Sequence, residues 1–310
     1  MGNELKEVNF TLGIIIPCYN VEKYIEQCVE SLLNNLPLDV LLIFVNDCST
    51  DGTSRILERF SNYLSNIEVI QTPKNIGLSG ARNFGIKHLG SRSAYIGFID
   101  SDDFVVPNFY EEIIDIINLY VPDIIEYNCF NYKPNEREIR DIVPIGREGL
   151  NMYDSEYIID LFDRGQMFVH CRIFKYNIIK NIEFPLGKRY EDTFYTPLAY
   201  SKSKTIFSTS KVLLNYRVND SGITKNPRAS DVGDFFDSWD FNSLNFIDKE
   251  IKKPMDKFYV LLIIAFSKHF GLKFSFQSLQ KILKKLGFSG VSIILSVIKS
   301  KIFKGESNNR

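Results

Sequence analysis

The sequence predicts an α/β fold in which a mostly parallel central sheet is flanked by helices, with a helical extension at the C-terminus. Two patterns support this prediction. In residues 1–130, apolar runs of strand length alternate with amphipathic segments of helical period. The apolar runs are continuous, which is typical of parallel strands that are buried on both faces. With 310 residues, the chain is long enough for one large α/β domain or two modest ones.

The predicted elements follow one another in order. Asn20 is placed to cap the first helix, Asp51 and Thr53 to begin the second, and Pro107 fits the first turn of the fourth. Five strands are predicted, at residues 12–17, 40–45, 67–70, 94–99 and 124–127, with helices between them. Residues 130–220 are less regular, and we expect them to pack beside the sheet as the other wall of a cleft.

The composition excludes several classes of protein. A formal net charge of −1 gives no general basis for binding nucleic acid. The five cysteines are scattered and show no CxxC spacing, which indicates reduced thiols rather than a zinc site or a disulfide framework. The first residues lack the apolar core of a signal peptide. We therefore expect a cytoplasmic protein.

An acidic segment directly follows the fourth predicted strand. It contains Asp100, Asp102 and Asp103, after the apolar run 94–99. Carboxylates this close repel one another, and a divalent cation or water must offset the repulsion. Because Mg²⁺ usually takes one or two carboxylates together with phosphate oxygens, an Asp-x-Asp at a strand end suits a cation that carries a diphosphate. The alternative is a solvated acidic turn ahead of the Pro107 helix.

Polar clusters also follow the first two predicted strands. The three clusters are residues 17–20, 46–51 and 100–103. In parallel α/β sheets, ligands bind outside the carboxyl ends of the strands. Three clusters at one edge therefore predict a binding site there.

Five stretches carry a family resemblance. They are IIIPCYNVEKYIEQCVESLL (14–33), VNDCSTDGT (45–53), NIGLSGARNFGI (75–86), GFIDSDDFVVPNFYE (97–111) and RYEDTFY (189–195). Over residues 10–220 the chain resembles inverting glycosyltransferases of family 2, which have the GT-A fold. Within that family it is most similar to bacterial enzymes that build capsule, exopolysaccharide or O-antigen repeats.

The resemblance implies an activity and its requirements. The expected enzyme is a hexosyl- or N-acetylhexosaminyltransferase that depends on Mn²⁺ or Mg²⁺. It would move a sugar from a nucleotide-diphosphate donor, a UDP-sugar, to a hydroxyl of a glycan or lipid-linked glycan. Residues 1–130 would form the nucleotide-sugar-binding half, residues 131–220 the acceptor half with the catalytic base, and residues 221–310 a helical, lysine-rich region.

The resemblance also implies roles for residues of the donor site. The Asp47 carboxylate would accept a hydrogen bond from uracil, and Tyr19 would lie near the base. Asp100 would contact the ribose and the metal, and Asp102 would bind the metal. The remaining nucleotide-site residues would be Pro17, Asn75, Gly80 and Arg82. From residue chemistry alone, Asp51 is better explained as a turn or helix-cap residue.

Further roles fall in the second half. The resemblance places Asp192 as the catalytic base, with Glu191 orienting its neighbours, although a Glu-Asp pair alone is usually a solvated surface. Arg217 would meet the diphosphate. Asp103 would support the metal ligands or cap a helix. His170 would line the cleft or be a packed structural residue.

Two other functions fit an α/β sheet with acidic residues. A nucleotidyltransferase would need a glycine-rich, basic phosphate loop after the first strand. The loop Pro17-Cys-Tyr-Asn20 contains neither glycine nor lysine, which disfavours that function. A non-catalytic sugar-binding or scaffold module is the other alternative.

The C-terminal region has nine lysines and no Asp, Glu or Arg between Lys257 and Gly305. An apolar stripe with helical spacing runs through Leu279, Ile282, Leu283 and Leu286, with Lys281, Lys284 and Lys285 off the stripe. Residues 292–303 add a second apolar stretch. The pattern fits an amphipathic helix on the anionic inner membrane leaflet, or a helical subdomain packed on the core or against a second subunit in a homodimer.

Overall fold

A computed structural model describes residues 10–61, 64–133, 136–140, 147–219, 222–223, 225–287 and 290–297. The strands of this part of the chain are β1 Phe10–Cys18, β2 Val40–Asn46, β3 Ile67–Gln71, β4 Ser93–Phe98, β5 Phe104–Val105, β6 Ile124–Lys133, β7 Glu136–Arg140, β8 Gly149–Met152, β9 Arg172–Lys175 and β10 Thr205–Arg217. The helices are α1 Ile25–Leu33, α2 Thr53–Phe60, α3 Gly77–Leu89, α4 Phe109–Tyr120, α5 Ser155–Arg164, α6 Tyr176–Ile179, α7 Asp192–Ser201, α8 Ala229–Asn245, α9 Lys249–Ser267 and α10 Leu272–Leu286. The predicted α/β architecture is confirmed.

The strands form one sheet in the order β3-β2-β1-β4-β9-β6-β10-β5, with β7 beside β6 and β8 beside β10. Pairing is parallel through β3, β2, β1 and β4. The central strands β1 and β2 are largely apolar and buried, as expected for parallel strands, whereas the edge strand β3 includes Glu68 and Gln71. Beyond β4 the sheet is mixed, because β9 runs antiparallel to both β4 and β6. Parallel pairing returns between β6 and β10, so the sheet has a parallel part on each side of β9.

Two expectations from the sequence are corrected. Residues 131–220 contribute strands to the same sheet instead of packing beside it. Asn20 does not cap α1, which begins at Ile25 without a side-chain cap. Its side-chain oxygen instead accepts a hydrogen bond from the Thr50 backbone N–H at 2.8 Å, which ties two loops together.

The described residues group into two compact units. The first lies within 1–153, 168–187 and 198–219 and contains the whole sheet. The second lies within 154–167, 188–197 and 220–310 and contains α5 and α8 to α10. In the described part of the chain, no helix is both long and apolar enough to cross a bilayer.

Helix α3 lies very close to the sheet, and a glycine permits that distance. A Cβ built on Gly85 would come 2.6 Å from a methyl of Ile15 on β1 and 3.2 Å from one of Val45 on β2. The missing side chain therefore lets the helix backbone approach the strands. This approach places Arg82, one turn earlier on α3, beside the carboxyl end of β4.

Candidate active site

The loops after β1 and β2 are joined at the carboxyl edge of the sheet. Pro17 pairs in register with Val45, and Asp47 N–H donates to the Cys18 carbonyl at 2.8 Å. Asn20 has a φ of 53°, in the left-handed region that Asn tolerates better than most residues. Tyr19 is half exposed beside it. The edge is therefore ordered and carries an accessible aromatic ring.

Asp47 is buried, and its carboxylate orders the start of α3. Oδ1 accepts hydrogen bonds from Thr72 Oγ1 at 2.7 Å and from the Ile76 backbone N–H at 2.9 Å. Oδ2 accepts from the Gly77 N–H at 2.8 Å, and the Asn75 amide donates to the Asp47 carbonyl at 3.1 Å. The expected hydrogen bond from uracil stays a prediction. The uracil ring would then contact an Asp47 carboxylate that is already held in place by Thr72, Ile76 and Gly77.

Gly80 and Asp51 have local roles in this structure. A Cβ on Gly80 would come 2.8 Å from the Ile76 side chain, so the absence of a side chain makes room for that residue. Asp51 Oδ1 accepts from the Thr53 N–H at 3.0 Å, which confirms a local turn role just before α2, whose N-cap is Gly52.

Asp100 lies between two cationic side chains. The buried Arg82 guanidinium donates to Asp100 Oδ1 at 2.7 Å, and its Cζ lies 5.3 Å from the centre of the Phe184 ring. His170 Nδ1 is 3.6 Å from Asp100 Oδ2. Burial acts to raise the pKa of Asp100, but Arg82 and His170 outweigh it and hold that pKa well below its usual range. Asp100 is therefore ionised at neutral pH.

His170 is a buried residue of this cluster. Its ring stacks on Tyr216, with centroids 5.2 Å apart and planes inclined by 14°. Burial lowers the pKa of His170, but hydrogen bonding to Asp100 and the surrounding negative groups raise it to about 10. The imidazolium therefore offsets part of the negative charge of the acidic loop.

Asp102 and Asp103 are the other two carboxyl groups of the acidic loop, and their surroundings disfavour ionisation. Burial and then the charge of Asp100 raise the pKa of Asp102. Burial and then Asp102 raise the pKa of Asp103 well above its usual range. Asp103 Oδ1 accepts from the Arg217 backbone N–H at 2.7 Å, whereas Oδ2 is buried without a hydrogen-bond partner among the described residues. A further positive charge would stabilise this loop.

The donor set fits a hard divalent cation. One ligand atom each from Asp100, Asp103 and His170 lie within 4.8 Å of one another. Carboxylate oxygens are the ligands that Mg²⁺ prefers. A transition metal also accepts imidazole, but His170 could bind it only after its imidazolium had released a proton. Asp102 is outside this group of three in the present geometry, so its role as a metal ligand stays a prediction.

Asp192 and Glu191 belong to the second unit, whereas the acidic loop belongs to the first. Asp192 is the first residue of α7, where the positive end of the helix dipole stabilises an ionised carboxylate. Glu191 is buried, and its carbonyl accepts from the N–H groups of Phe194 and Tyr195 at 3.1 Å each. Glu191 thus begins the helix that presents Asp192. The role of Asp192 as the base stays a prediction.

Sequence reasoning missed the aromatic residues that hold this site. Phe184 supports Arg82, and Tyr216 supports His170. Nothing in the sequence marks Phe184, whereas Tyr216 directly precedes the candidate Arg217, and that neighbour could have identified it. The contacts exist only because distant strands and loops are brought together by the sheet.

Known glycosyltransferases are similar to this chain in sequence. The family model described as "Glycosyl transferase family 2" matches residues 13–182. Glycosyltransferase GlyA of Streptococcus pneumoniae is 26% identical over 70% of this chain and 32% of its own length. The minor teichoic acid biosynthesis protein GgaB of Bacillus subtilis is 31% identical over 70% of this chain and 24% of its own length.

A solved structure shares the fold. Residues 1–349 of TarS from S. aureus, in complex with UDP-GlcNAc, superpose with a TM-score of 0.72 over 93% of this chain and 84% of that one, at 20% identity. The chain spans only about a third of GlyA and a quarter of GgaB. The match of the family model to more than half of the chain, together with the shared fold, shows that the chain belongs to glycosyl transferase family 2.

Proposed function

We propose that this protein is a metal-dependent inverting glycosyltransferase that transfers a sugar from a UDP-sugar to a glycan hydroxyl. The observation that carries the proposal is the acidic loop at the carboxyl end of β4, where Asp100 lies between Arg82 and His170. Three clustered carboxylates at a strand end, one with a buried oxygen that accepts no hydrogen bond among the described residues, provide a place for a divalent cation and the diphosphate that it carries.

The donor site would use residues of three loops. Asp100 and Asp102 would hold the cation, and ligand atoms of Asp103 and His170 lie within 4.8 Å of one on Asp100. A bound divalent cation neutralises the charge that develops on the diphosphate leaving group. The UDP-GlcNAc bound to the related TarS fold supports a UDP-sugar as donor, with Tyr19 and Asp47 near the base.

Asp192 would act on the acceptor. Its carboxylate takes the proton of the acceptor hydroxyl as the oxygen attacks the anomeric carbon. The bond from that carbon to the UDP oxygen breaks with its electron pair, and UDP leaves. A single displacement inverts the anomeric configuration. The position of Asp192 at the start of α7 supports the ionised form that a base requires.

The acceptor would be a surface polysaccharide precursor, and a lipid-linked one would bring the protein to a membrane. GgaB, named for teichoic acid biosynthesis, supports the polysaccharide class. In the second unit, α10 presents exposed Leu272, Phe276 and Leu283 on one side. Their spacing of four and seven residues places all three on one helix face. This apolar face supports a peripheral position at the inner leaflet.

The lysines of α10 divide between two roles. Lys285 pairs with Asp240 and lies 4.9 Å from the Trp239 ring centre, and Lys281 lies 5.9 Å from the Phe236 ring centre. Lys285 therefore packs on α8, Lys281 contacts α8 while remaining exposed, and Ile282 is buried beside them. Lys273 and Lys284 are exposed and remain for an anionic surface. Lys299 and Lys301 and the rest of the apolar stretch beyond residue 297 lie outside the described residues.

Sedimentation with anionic vesicles tests the membrane position. Replacing Leu272 and Phe276 with Ser should abolish cosedimentation, while Leu244→Ser, at an exposed site on α8, should leave it unchanged. Added salt should weaken binding, because screening acts within about 10 Å at 0.1 M. A double variant that still sediments, or that changes from dimer to monomer instead, would show that the face is not a membrane surface.

The transferase proposal is tested with a panel of UDP-sugars and glycan acceptors. UDP release that depends on acceptor and metal, together with an inverted anomeric centre in the product by NMR, is the expected result. Release of pyrophosphate from a nucleoside triphosphate would indicate the nucleotidyltransferase alternative. Binding of sugar without any turnover would indicate a non-catalytic module.

A further inference from the structure

Arg217 is held against the acidic loop at the end of β10. Its Nε donates to the Asp102 carbonyl oxygen at 2.8 Å, and its backbone N–H donates to Asp103 Oδ1 at 2.7 Å. Its Nη2 donates to Gln27 Oε1 at 2.5 Å. Two of these three hydrogen bonds end on the loop itself, and the third ends on α1.

Three aromatic rings surround the same guanidinium. The Arg217 Cζ lies 5.0 Å from the ring centre of Tyr24, 5.5 Å from that of Phe104 and 5.1 Å from that of Tyr132. Each distance is within the range of a favourable cation–π contact. The group is thus restrained on its faces by the rings and at its edges by hydrogen bonds.

Other contacts also restrain the loop near Asp102, including a hydrogen bond between the side chains of Asn219 and Asp102. Asp103 N–H donates to the Asp100 carbonyl at 3.0 Å, which closes one turn. The next restraint is the short pairing of β5 with β10, which joins Phe104 to Asn215. Between these two points, the Arg217 side chain holds the Asp102 backbone carbonyl.

We propose that Arg217 is a positioning residue that sets the acidic loop for cation binding, and that it does not act as a ligand of the diphosphate. The proposal rests on the proposed metal-dependent function. Arg217 acts through the backbone of Asp102 and the carboxylate of Asp103. Lysine would not replace it, because a single ammonium lacks the planar fork that reaches two acceptors while stacking on rings.

The two roles of Arg217 predict different binding behaviour. A positioning residue controls the affinity for Mn²⁺ even without nucleotide, and affects UDP binding only when the metal is present. A diphosphate ligand controls UDP affinity with or without metal and leaves Mn²⁺ affinity unchanged. Substitution of a residue that orients metal ligands typically lowers metal affinity by about 10- to 100-fold.

The experiment compares wild type with Arg217→Lys and Arg217→Met, and with Lys211→Met as a control at an exposed site on the same strand. Mn²⁺ binding is measured by electron paramagnetic resonance, and UDP binding by calorimetry with Mn²⁺ and with EDTA. Both Arg217 variants should bind Mn²⁺ at least about tenfold more weakly than wild type, with the control unchanged.

Unchanged Mn²⁺ affinity in the Arg217 variants would overturn the inference while leaving the proposed function intact. A wild type that binds neither Mn²⁺ nor UDP would overturn both. Should the Arg217 variants fail to fold, Gln27→Ala and Tyr24→Leu each remove one restraint on the guanidinium. Each should then give a smaller loss of Mn²⁺ affinity, and no loss in either would contradict the inference.

Discussion

The guanidinium of Arg82 and the carboxylate of Asp100 form an ion pair of 2.7 Å that joins α3 to the carboxyl end of β4. Arg82 is only 2% exposed, so most of the pair is shielded from water. The pair ties the helix that Asp47 orders to the loop that would hold the metal. It connects the two halves of the proposed donor site within the first unit.

Arg82→Met should destabilise the fold by about 3 kcal/mol, because it leaves the Asp100 carboxylate without its closest partner in a mostly buried site. Urea unfolding measures the change. Arg59→Met, which breaks an exposed pair with Glu26, is the control and should cost at most about 1 kcal/mol. Equal changes in the free energy of unfolding would show that the Arg82–Asp100 pair stabilises the fold no more than an exposed pair does.

Asp102→Asn should remove most metal-dependent turnover and Mn²⁺ affinity while the melting temperature changes little, because the side chain lies in a strand-end loop. Asp115→Asn, at an exposed site on α4, is the matched control. Near-normal turnover of the Asp102 variant would instead make Asp103 the ligand, together with Asp100 and His170. Asp103→Asn in the same assay decides between the two carboxylates.

Asp192→Asn should lower turnover by at least about 10²-fold, as expected for the loss of a general base, and should leave UDP affinity unchanged. The control is Asp163→Asn, an exposed carboxylate of the same unit that pairs with Lys257. Steady-state kinetics measures the loss of turnover, and calorimetry measures the UDP affinity. A parallel loss of UDP affinity would assign Asp192 to the nucleotide site instead of the acceptor.

Arg172, the first residue of β9, belongs to a buried polar network, and we expect its substitution to lower the free energy of unfolding strongly. Arg172 Nη2 lies 3.7 Å from Glu126 Oε2, and Tyr200 and Ser208 donate to the same carboxylate. Arg172→Met should cost about 3–5 kcal/mol in urea unfolding, because Glu126 becomes an uncompensated buried charge. Adding Glu126→Gln should recover part of the loss. A cost below about 1 kcal/mol for the single variant would contradict this account.

The sequence predicts the carboxyl edge of the sheet well for a physical reason. Parallel strands that are buried on both faces have a continuous apolar signal, and their ends must meet at one edge. The clusters containing Asp47 and Asp100 are therefore brought to the same side. Asp51 is also predictable, because the turn chemistry of Asp is local.

Other features depend on contacts between residues far apart in the chain. The rings around Arg217 come from residues 24, 104 and 132, and no local pattern links them. The strand β9 enters the sheet antiparallel between β4 and β6 although the alternation of elements predicts parallel neighbours. Asn is a residue type that often caps helices. The Asn20 side chain instead accepts a hydrogen bond from the Thr50 N–H, because the next loop supplies a better-placed donor.

The central claim is that the acidic loop binds a divalent cation that carries UDP. Calorimetric titration of UDP into the full chain, first with Mn²⁺ and then after chelation by EDTA, tests it most directly. The account predicts saturable binding with Mn²⁺ that weakens at least about tenfold on chelation, because the cation offsets the charge of the diphosphate. Equal UDP affinity with and without Mn²⁺, or no UDP binding under either condition, would contradict it.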